Sequence, residues 1–250
     1  METGRETLKQ QAYRIIKNKI LYCEYAPNEV LNEELLLQDT GYSRAPIRDA
    51  LGRLEQEHLL VIMPKKGIRI SDVNMNDISS VFEMRCMVEP YVIRMYGNRL
   101  DKEKLREYKK KFETDITPEK VMDAAKEKRL IEMFTLDDEF HQYIVRNSPN
   151  PYMWMSMELI YNQNTRLRVL TSLDLNRLMQ SKPEHAEIID ALLEDRYEDA
   201  ADKMKNHLRK AKQGSLDTFA SYGDWLRKKE QDPSDHKKYF LRQIRNESDC

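Results

Sequence analysis

The chain is poor in several things, and each shortage narrows what it can be. Cysteine occurs three times, at Cys23, Cys86 and Cys250, with no metal-type pairing of the spacings. An odd, scattered set argues against a disulfide framework and for a reducing, cytoplasmic setting. No apolar run approaches the roughly 18 residues of a membrane span, so no membrane partner is expected. The first residues, Met-Glu-Thr-Gly-Arg-Glu, are too polar for a signal peptide. Glycine (7) and proline (9) are sparse in 250 residues, whereas Leu, Lys, Glu, Arg and Met abound, which favours a mainly α protein. Neither charge dominates: the formal net charge is -1, so bulk basicity does not announce nucleic acid. The length suits two domains, or one large one with a good core.

What is present begins with helices. Residues 7 to 22 carry Leu8, Ala12, Ile15, Ile16 and Ile20 at helical spacing. Tyr25-Ala26-Pro27-Asn28 reads as a turn, and Asn32 caps a short second helix that Thr40-Gly41 ends. After Tyr42 a third helix opens. Ser43 is its expected N-cap, Pro46 falls in the tolerant first turn, and Ile47, Ala50, Leu51 and Leu54 form its apolar stripe. Arg44 and Arg48, four apart, lie off that stripe and project together near the helix N-terminus. A recognition helix needs this arrangement to reach guanine edges or phosphates in a major groove. An amphipathic helix with solvated arginines has the same pattern, so the flanking segments decide. Two helices joined by a Gly-containing turn are the helix-turn-helix pattern.

Next, two β-type runs within residues 59–70 flank Pro64-Lys65-Lys66-Gly67, a hairpin with a basic tip. Residues 1–72 hold equal numbers of basic and acidic side chains, so positive charge is placed locally. It falls at Arg44, Arg48 and Arg53 and again at Lys65, Lys66 and Arg69, as phosphate contact requires. The order helix, helix, Tyr-Ser-Arg-Ala-Pro-Ile-Arg-Asp-Ala-Leu, Arg-Leu-Glu and a Pro-Lys-Lys-Gly wing resembles the winged-helix domain of the GntR family of bacterial transcription regulators. The likeness spans roughly residues 8 to 72. It implies DNA contacts from Arg44 and Arg48 with help from Ser43, and a wing tip of Lys66 and Gly67. Glu33 departs from the pattern, standing where some members place a DNA-contacting arginine; the contact set then rests mainly on the recognition helix and wing. Gly52, where a larger residue is usual, costs about 1 kcal/mol of helix propensity.

Residues 73–76 read as a linker, with Asn74 or Asn76 able to cap the next helix. Residues 77–222 form a succession of amphipathic helices with breaks near Asn98–Asp101, Thr114–Pro118, Asn147–Pro151 and Gln180–Pro183. Six or seven helices in an antiparallel bundle are expected. Residues 223–250 are a polar, partly ordered tail. Some stripe positions of the bundle are not apolar. One series runs Leu130, Phe134, Asp137, His141, Ile144; another His185, Ile188, Ile189, Leu192; a third Ala200, Met204, His207, Ala211. Three of the five histidines, with a carboxylate one turn from one of them, thus point inward, which is costly unless something pairs with them all. A divalent cation does so. On spacing alone, hydrogen-bonded core histidines remain an equally open reading.

Asp137-x-x-Phe140-His141, Pro183-Glu184-His185 ahead of Ile188-Ile189, and Asn206-His207-Leu208 resemble the ligand set of the FCD effector domain. That helical domain accompanies this winged helix in the FadR-type branch of the family, here over roughly residues 75 to 222. The resemblance implies a metal site of Asp137, His141, His185 and His207, with coordination positions left for a small carboxylate. Imidazoles without thiolates suit Zn, Ni, Co, Fe or Mn, zinc being the first expectation. Arg85, Asn162 and Arg166 also occupy inward stripe positions and are expected to contact a carboxylate effector, with buried ion pairs as the other reading. The expected protein is a ligand-responsive, DNA-binding transcription regulator. As a homodimer it meets a palindromic operator and senses a sugar acid or hydroxy acid at a divalent metal. The alternative is a metal-dependent enzyme of small-acid metabolism using the same aspartate and histidines to activate water. In that reading the winged helix has no purpose, and Glu139 and Glu187 are turned away by helical phase.

Overall fold

In a computed structural model the chain is described over residues 6–117, 119–120, 130–171 and 175–228. It divides after Val73 into two compact units. In the first, helix α1 (Leu8–Leu21) starts at Thr7, whose hydroxyl accepts from the Gln10 amide while the Gln10 side chain accepts from the Thr7 amide. This reciprocal cap satisfies two orphan donors. Helix α2 (Glu33–Thr40) is capped by Asn32, which accepts from the Leu35 amide at 2.7 Å. It stops at Gly41, whose φ of 72° is open to glycine without strain. Helix α3 (Arg44–Gln56) comes next. Ala12, Ile16 and Ile20 of α1, Leu36 of α2 and Ile47, Ala50 and Leu54 of α3 share one apolar core with Leu60, Ile68 and Ile70.

Those last residues come from the sheet. Strands β2 (Leu60–Met63) and β3 (Gly67–Ile70) form the expected hairpin, with Leu60 opposite Ile70 and Met63 opposite Gly67. A third strand, β1 (Val30–Leu31), pairs antiparallel with β3, giving the order β1-β3-β2. Two residues carry no periodicity, so the pattern of the sequence could not reveal it. At the wing tip Lys65 (φ 62°) and Gly67 (φ 107°) take left-handed backbone. A Cβ at Gly67 would stand 2.5 Å from the Leu31 carbonyl oxygen, so the third strand also fixes this glycine.

The second unit begins at Asn74, which caps helix α4 (Met75–Tyr96) in a capping box with Asp77. A short 3-10 turn (Gly97–Arg99) leads to α5 (Lys102–Asp115). Then come α6 (Leu130–Arg146), α7 (Pro151–Thr171), α8 (Leu175–Leu193) and α9 (Tyr197–Lys228). Six helices are therefore present among the described residues of this unit. Helix α9 lies against α4 and α8, α4 against α7, and α5 against α8. Two expectations change. The break at Gln180–Pro183 is absent: α8 runs through Pro183, which is exposed, so only one backbone bond is forfeited on the solvent side. The last helix continues to Lys228, so residues 223–228, expected in the tail, are helical; residues 229–250 lie outside the described residues.

Two glycines make opposite predictions. Nothing lies within 4 Å of where a Cβ would stand on Gly52, within α3. Gly52→Ala should raise stability by about 0.5–1 kcal/mol through the unfolded chain's lost freedom. Gly67→Ala should lower it by about 1–3 kcal/mol, because the left-handed backbone and Leu31 both oppose a Cβ. Urea unfolding of the full chain measures both, and shifts of the same sign would contradict the backbone account.

Candidate functional site

In the first unit the outward groups of α3 are placed as a recognition surface needs. Ser43, Arg44 and Arg48 are exposed, on the side away from Ile47, Ala50 and Leu54. Ser43 has the extended backbone of an N-cap, yet its side chain makes no cap hydrogen bond. Its hydroxyl is thus not consumed by the helix, contrary to the expected cap. Lys66 is exposed at the wing tip beside the half-exposed Gly67. Arg53, counted with the local positive patch, instead lies over the Tyr13 ring of α1 at 3.9 Å from its centroid. Glu33, at the start of α2, faces Arg48: Arg48 Nε donates to Oε1 at 2.7 Å and Nη2 to Oε2 at 3.1 Å.

In the second unit Asp137 and His141 of α6, His185 of α8 and His207 of α9 are all buried. One ligand atom from each falls within 4.8 Å of the others. Helical spacing places the first two one turn apart, and the packing of α8 and α9 brings the rest. His185 Nε2 is 3.1 Å from Asp137 Oδ1 and 3.4 Å from His141 Nε2.

The far sides of two imidazoles are anchored. His141 Nδ1 meets Glu89 Oε2 of α4 at 2.6 Å, and His207 Nδ1 meets Glu184 Oε2 of α8 at 2.7 Å. An ionised carboxylate only accepts, so Nδ1 carries the proton in both rings and the Nε2 lone pairs turn toward the cluster. Burial pushes the Glu89 carboxyl up, but Arg85 and then His141 outweigh it and hold it at about 2. Burial likewise opposes ionisation of Asp137, and Arg168 together with His185 keeps it well below the usual carboxylate range. Burial, then the neighbouring His185, lowers His207 to about 3; burial lowers His185 as well. The donor set is therefore a carboxylate and three imidazoles, His185 and His207 held neutral and His141 and His207 anchored through Nδ1, which fits a divalent ion of the zinc or nickel kind. His185 stacks on Phe112 with 4.3 Å between centroids, and its Nδ1 is buried without a hydrogen-bond partner among the described residues.

A cavity of about 630 Å³, counting its open mouth, reaches this cluster; Asp137, His207, Asn164, Arg168 and Arg177 are among its lining. Hydroxyls of Ser181, Ser215 and Thr218 add polar character. The three expected effector residues do not line it. Arg85 is buried behind the histidines, donating from Nε to Glu89 at 2.7 Å and from Nη1 to Asn164 at 2.9 Å. Asn162 and Arg166 sit on α7 but out of phase with the cavity, which meets Asn164, Leu167 and Arg168. Arg166 is buried and donates to Gln163. The stripe of α7 defined by its apolar residues lies one helical step away from the cavity face. Arg168 supplies the guanidinium instead, pairing with Asp137 and with Asp138 at 3.1 Å. Sequence reasoning also missed Glu89 and Glu184. Glu89 stands four residues after Arg85 on the same buried stripe, a signal that was there to read; Glu184 adjoins a ligand histidine.

Comparison with known proteins covers both units. Residues 8–70 match the family described as bacterial regulatory proteins, gntR family, and residues 80–210 match the FCD domain. The chain is similar to the HTH-type transcriptional repressor RspR of Escherichia coli (strain K12), 24% identical over 222 residues, covering 88% of this chain and 94% of that protein. It is also similar to the repressor GlaR of the same organism, 25% identical over 207 residues, covering 78% and 90%. Among solved structures, E. coli McbR/YncC has a TM-score of 0.70 at 16% identity, covering 86% of this chain and 99% of that one. A GntR regulator from Rhodococcus sp. RHA1 reaches 0.65 at 20% identity, covering 83% and 97%. At those identities the structures show the fold.

Two substitutions probe the buried centre. Glu89→Ala leaves the Arg85 guanidinium buried without its carboxylate and should cost about 3–5 kcal/mol of stability, read from denaturant unfolding. Glu184→Gln keeps shape while weakening the anchor on His207. It should reduce zinc affinity about 10–100-fold in competition with a chromogenic chelator, with little change in fold. An unaltered affinity would contradict the anchoring role.

Proposed function

Because the chain belongs to the gntR family of bacterial regulatory proteins and carries an FCD domain, and so is a transcriptional regulator rather than an enzyme, we propose that it is a metal-dependent sensor of a small carboxylate. The observation that carries this reading is the buried quartet of Asp137, His141, His185 and His207, two of which, Asp137 and His207, line an open cavity. These four residues would hold a divalent ion, zinc first. Bound there, the ion supplies Lewis acidity and positive charge toward a carboxylate oxygen.

The chain's own residues do the rest. Glu89 and Glu184 fix the His141 and His207 rings, and Arg168, held by Asp137 and Asp138, keeps further N–H donors for a carboxylate. Ser181, Ser215 and Thr218 present hydroxyls suited to the hydroxyls of a sugar acid or hydroxy acid. Arg85 stands behind this face and supports it through Glu89 and Asn164 rather than touching the effector.

On the output side Ser43, Arg44, Arg48, Lys66 and Gly67 make the DNA contacts, and two copies meet a palindromic operator with half-sites about one helical turn apart. Exposed Met87, Tyr91 and Met95, four apart along α4, and exposed Tyr152, Met155 and Leu159 on α7 support a homodimer through the helical unit. Ligand binding biases the spacing of the two recognition helices only by its differential affinity for the two arrangements. Repression is the direction suggested by the names of two relatives.

Two measurements test this. Arg48→Ala should weaken binding to the selected operator by about 1–3 kcal/mol in a gel-shift titration while leaving the melting temperature unchanged. Elemental analysis of the purified protein should find a stoichiometric transition metal, and hydroxycarboxylates should raise the melting temperature of the metal-loaded protein but not of a His185→Ala variant. A metal-free protein, stabilised by no acid, would overturn the sensor reading.

A further inference from the structure

We infer that Glu33 is a positioning residue for DNA reading: it holds Arg48 in the rotamer that presents its guanidinium to a base edge. The inference rests on the assignment of Arg48 to DNA contact.

Glu33 is the first residue of α2, behind the Asn32 cap, and its backbone is therefore fixed by that cap and by the buried Leu36 one turn on. Arg48 stands in the second turn of α3, after the buried Ile47. The turn through Gly41 sets these two helices so that the Glu33 carboxylate meets the Nε/Nη2 edge of Arg48 with two bonds, 2.7 and 3.1 Å. The guanidinium remains exposed, with 68% of its side-chain surface open, against 30% for Glu33.

The geometry assigns different edges to different tasks. A guanidinium has five N–H donors in a rigid fork. Glu33 takes one from Nε and one from Nη2, leaving both Nη1 hydrogens and the second on Nη2. That remaining edge is the one a guanine accepts through O6 and N7. An exposed ion pair of this kind adds little to folding stability. Its value lies in ordering: a free arginine gives up rotamer entropy on binding, part of which is already lost here before DNA arrives.

The acid has a second consequence. A carboxylate beside the duplex repels phosphate, so it lowers affinity for every sequence alike. The pre-set fork favours only sequences that accept it. Glu33 thus exchanges non-specific affinity for discrimination, and the two effects have opposite signs when the acid is neutralised.

Fluorescence anisotropy of the full-length protein on two duplexes tests this. One is the sequence that the wild type enriches from a random pool, and the other a scramble of it; both are titrated over a range of salt. Glu33→Gln should tighten binding to the scramble and steepen its salt dependence, as one net charge gained requires. It should lower the ratio of selected to scrambled affinity on the order of tenfold, within what one bidentate base contact discriminates. Arg48→Lys keeps the charge and removes the fork; it should lose the same ratio, and adding Glu33→Gln to it should lower the ratio no further. A ratio preserved in Glu33→Gln, or losses that add in the double variant, would overturn the positioning role. A Glu33→Gln protein that binds the selected duplex more tightly with an unchanged or higher ratio would mean that the acid merely quenches Arg48. If Arg48→Ala leaves both affinities unchanged, the recognition-helix assignment itself is what fails.

Discussion

Three imidazoles and a carboxylate are taken out of water where α6, α8 and α9 converge, and the side chains around them are those that make the burial tolerable. Most of the charges there are matched, although His185 Nδ1 has no hydrogen-bond partner among the described residues. Glu89 answers both His141 and Arg85, Glu184 answers His207 and Arg177, and Arg168 answers Asp137 and Asp138. Replacing such a network by apolar residues is often neutral or stabilising in proteins. Its presence here is therefore poorly explained by stability alone. Orientation is the better account: two rings are locked with Nε2 facing the same point, and burial keeps His185 and His207 in the neutral form that a metal ligand needs.

The two units divide the physical labour differently. The winged-helix unit has a core of aliphatic residues around Ile16, Ile47 and Leu54, and keeps its chemistry on the surface. Exposed Arg44, Arg48 and Lys66 cost little to carry and, in the proposed function, act when phosphate or base edges arrive. The helical unit keeps its chemistry in the core, at a cost in desolvation that only close pairing offsets. Such a division suits a sensor: a rigid, buried site that discriminates among small ligands, and an open surface whose affinity is set by electrostatics. Glu33 sits on that surface as an acid facing Arg48.

Much of this was legible in the sequence, for definable reasons. Periodicity exposed the helices, and the Pro-Lys-Lys-Gly tip exposed the wing. The scarcity of histidine made inward His141, His185 and His207 conspicuous against apolar neighbours. The parts that were not legible depend on packing between elements. Strand β1 is too short to carry a pattern and exists because β3 offers it an edge. Pro183 has the look of a break because the sequence does not say that it faces solvent. On α7 it is Arg168 rather than Arg166 that meets the cavity, since a stripe read from apolar residues identifies a buried face but not which flank of it meets a cavity. Ser43 has the residue type of an N-cap and its backbone, yet not its hydrogen bond, a distinction that residue type alone does not carry.

If the buried quartet couples a metal and a carboxylate to DNA, an acid should act on the operator complex only through the metal. The most direct measurement is the dissociation rate of the full-length protein from its selected operator, monitored by anisotropy while a panel of hydroxycarboxylates is added. It is made once with zinc-loaded protein and once after chelation. At least one acid should change the rate in the zinc-loaded protein and lose that effect after chelation. An acid response that survives removal of the metal would contradict the coupling, as would a zinc-loaded complex whose dissociation no acid alters.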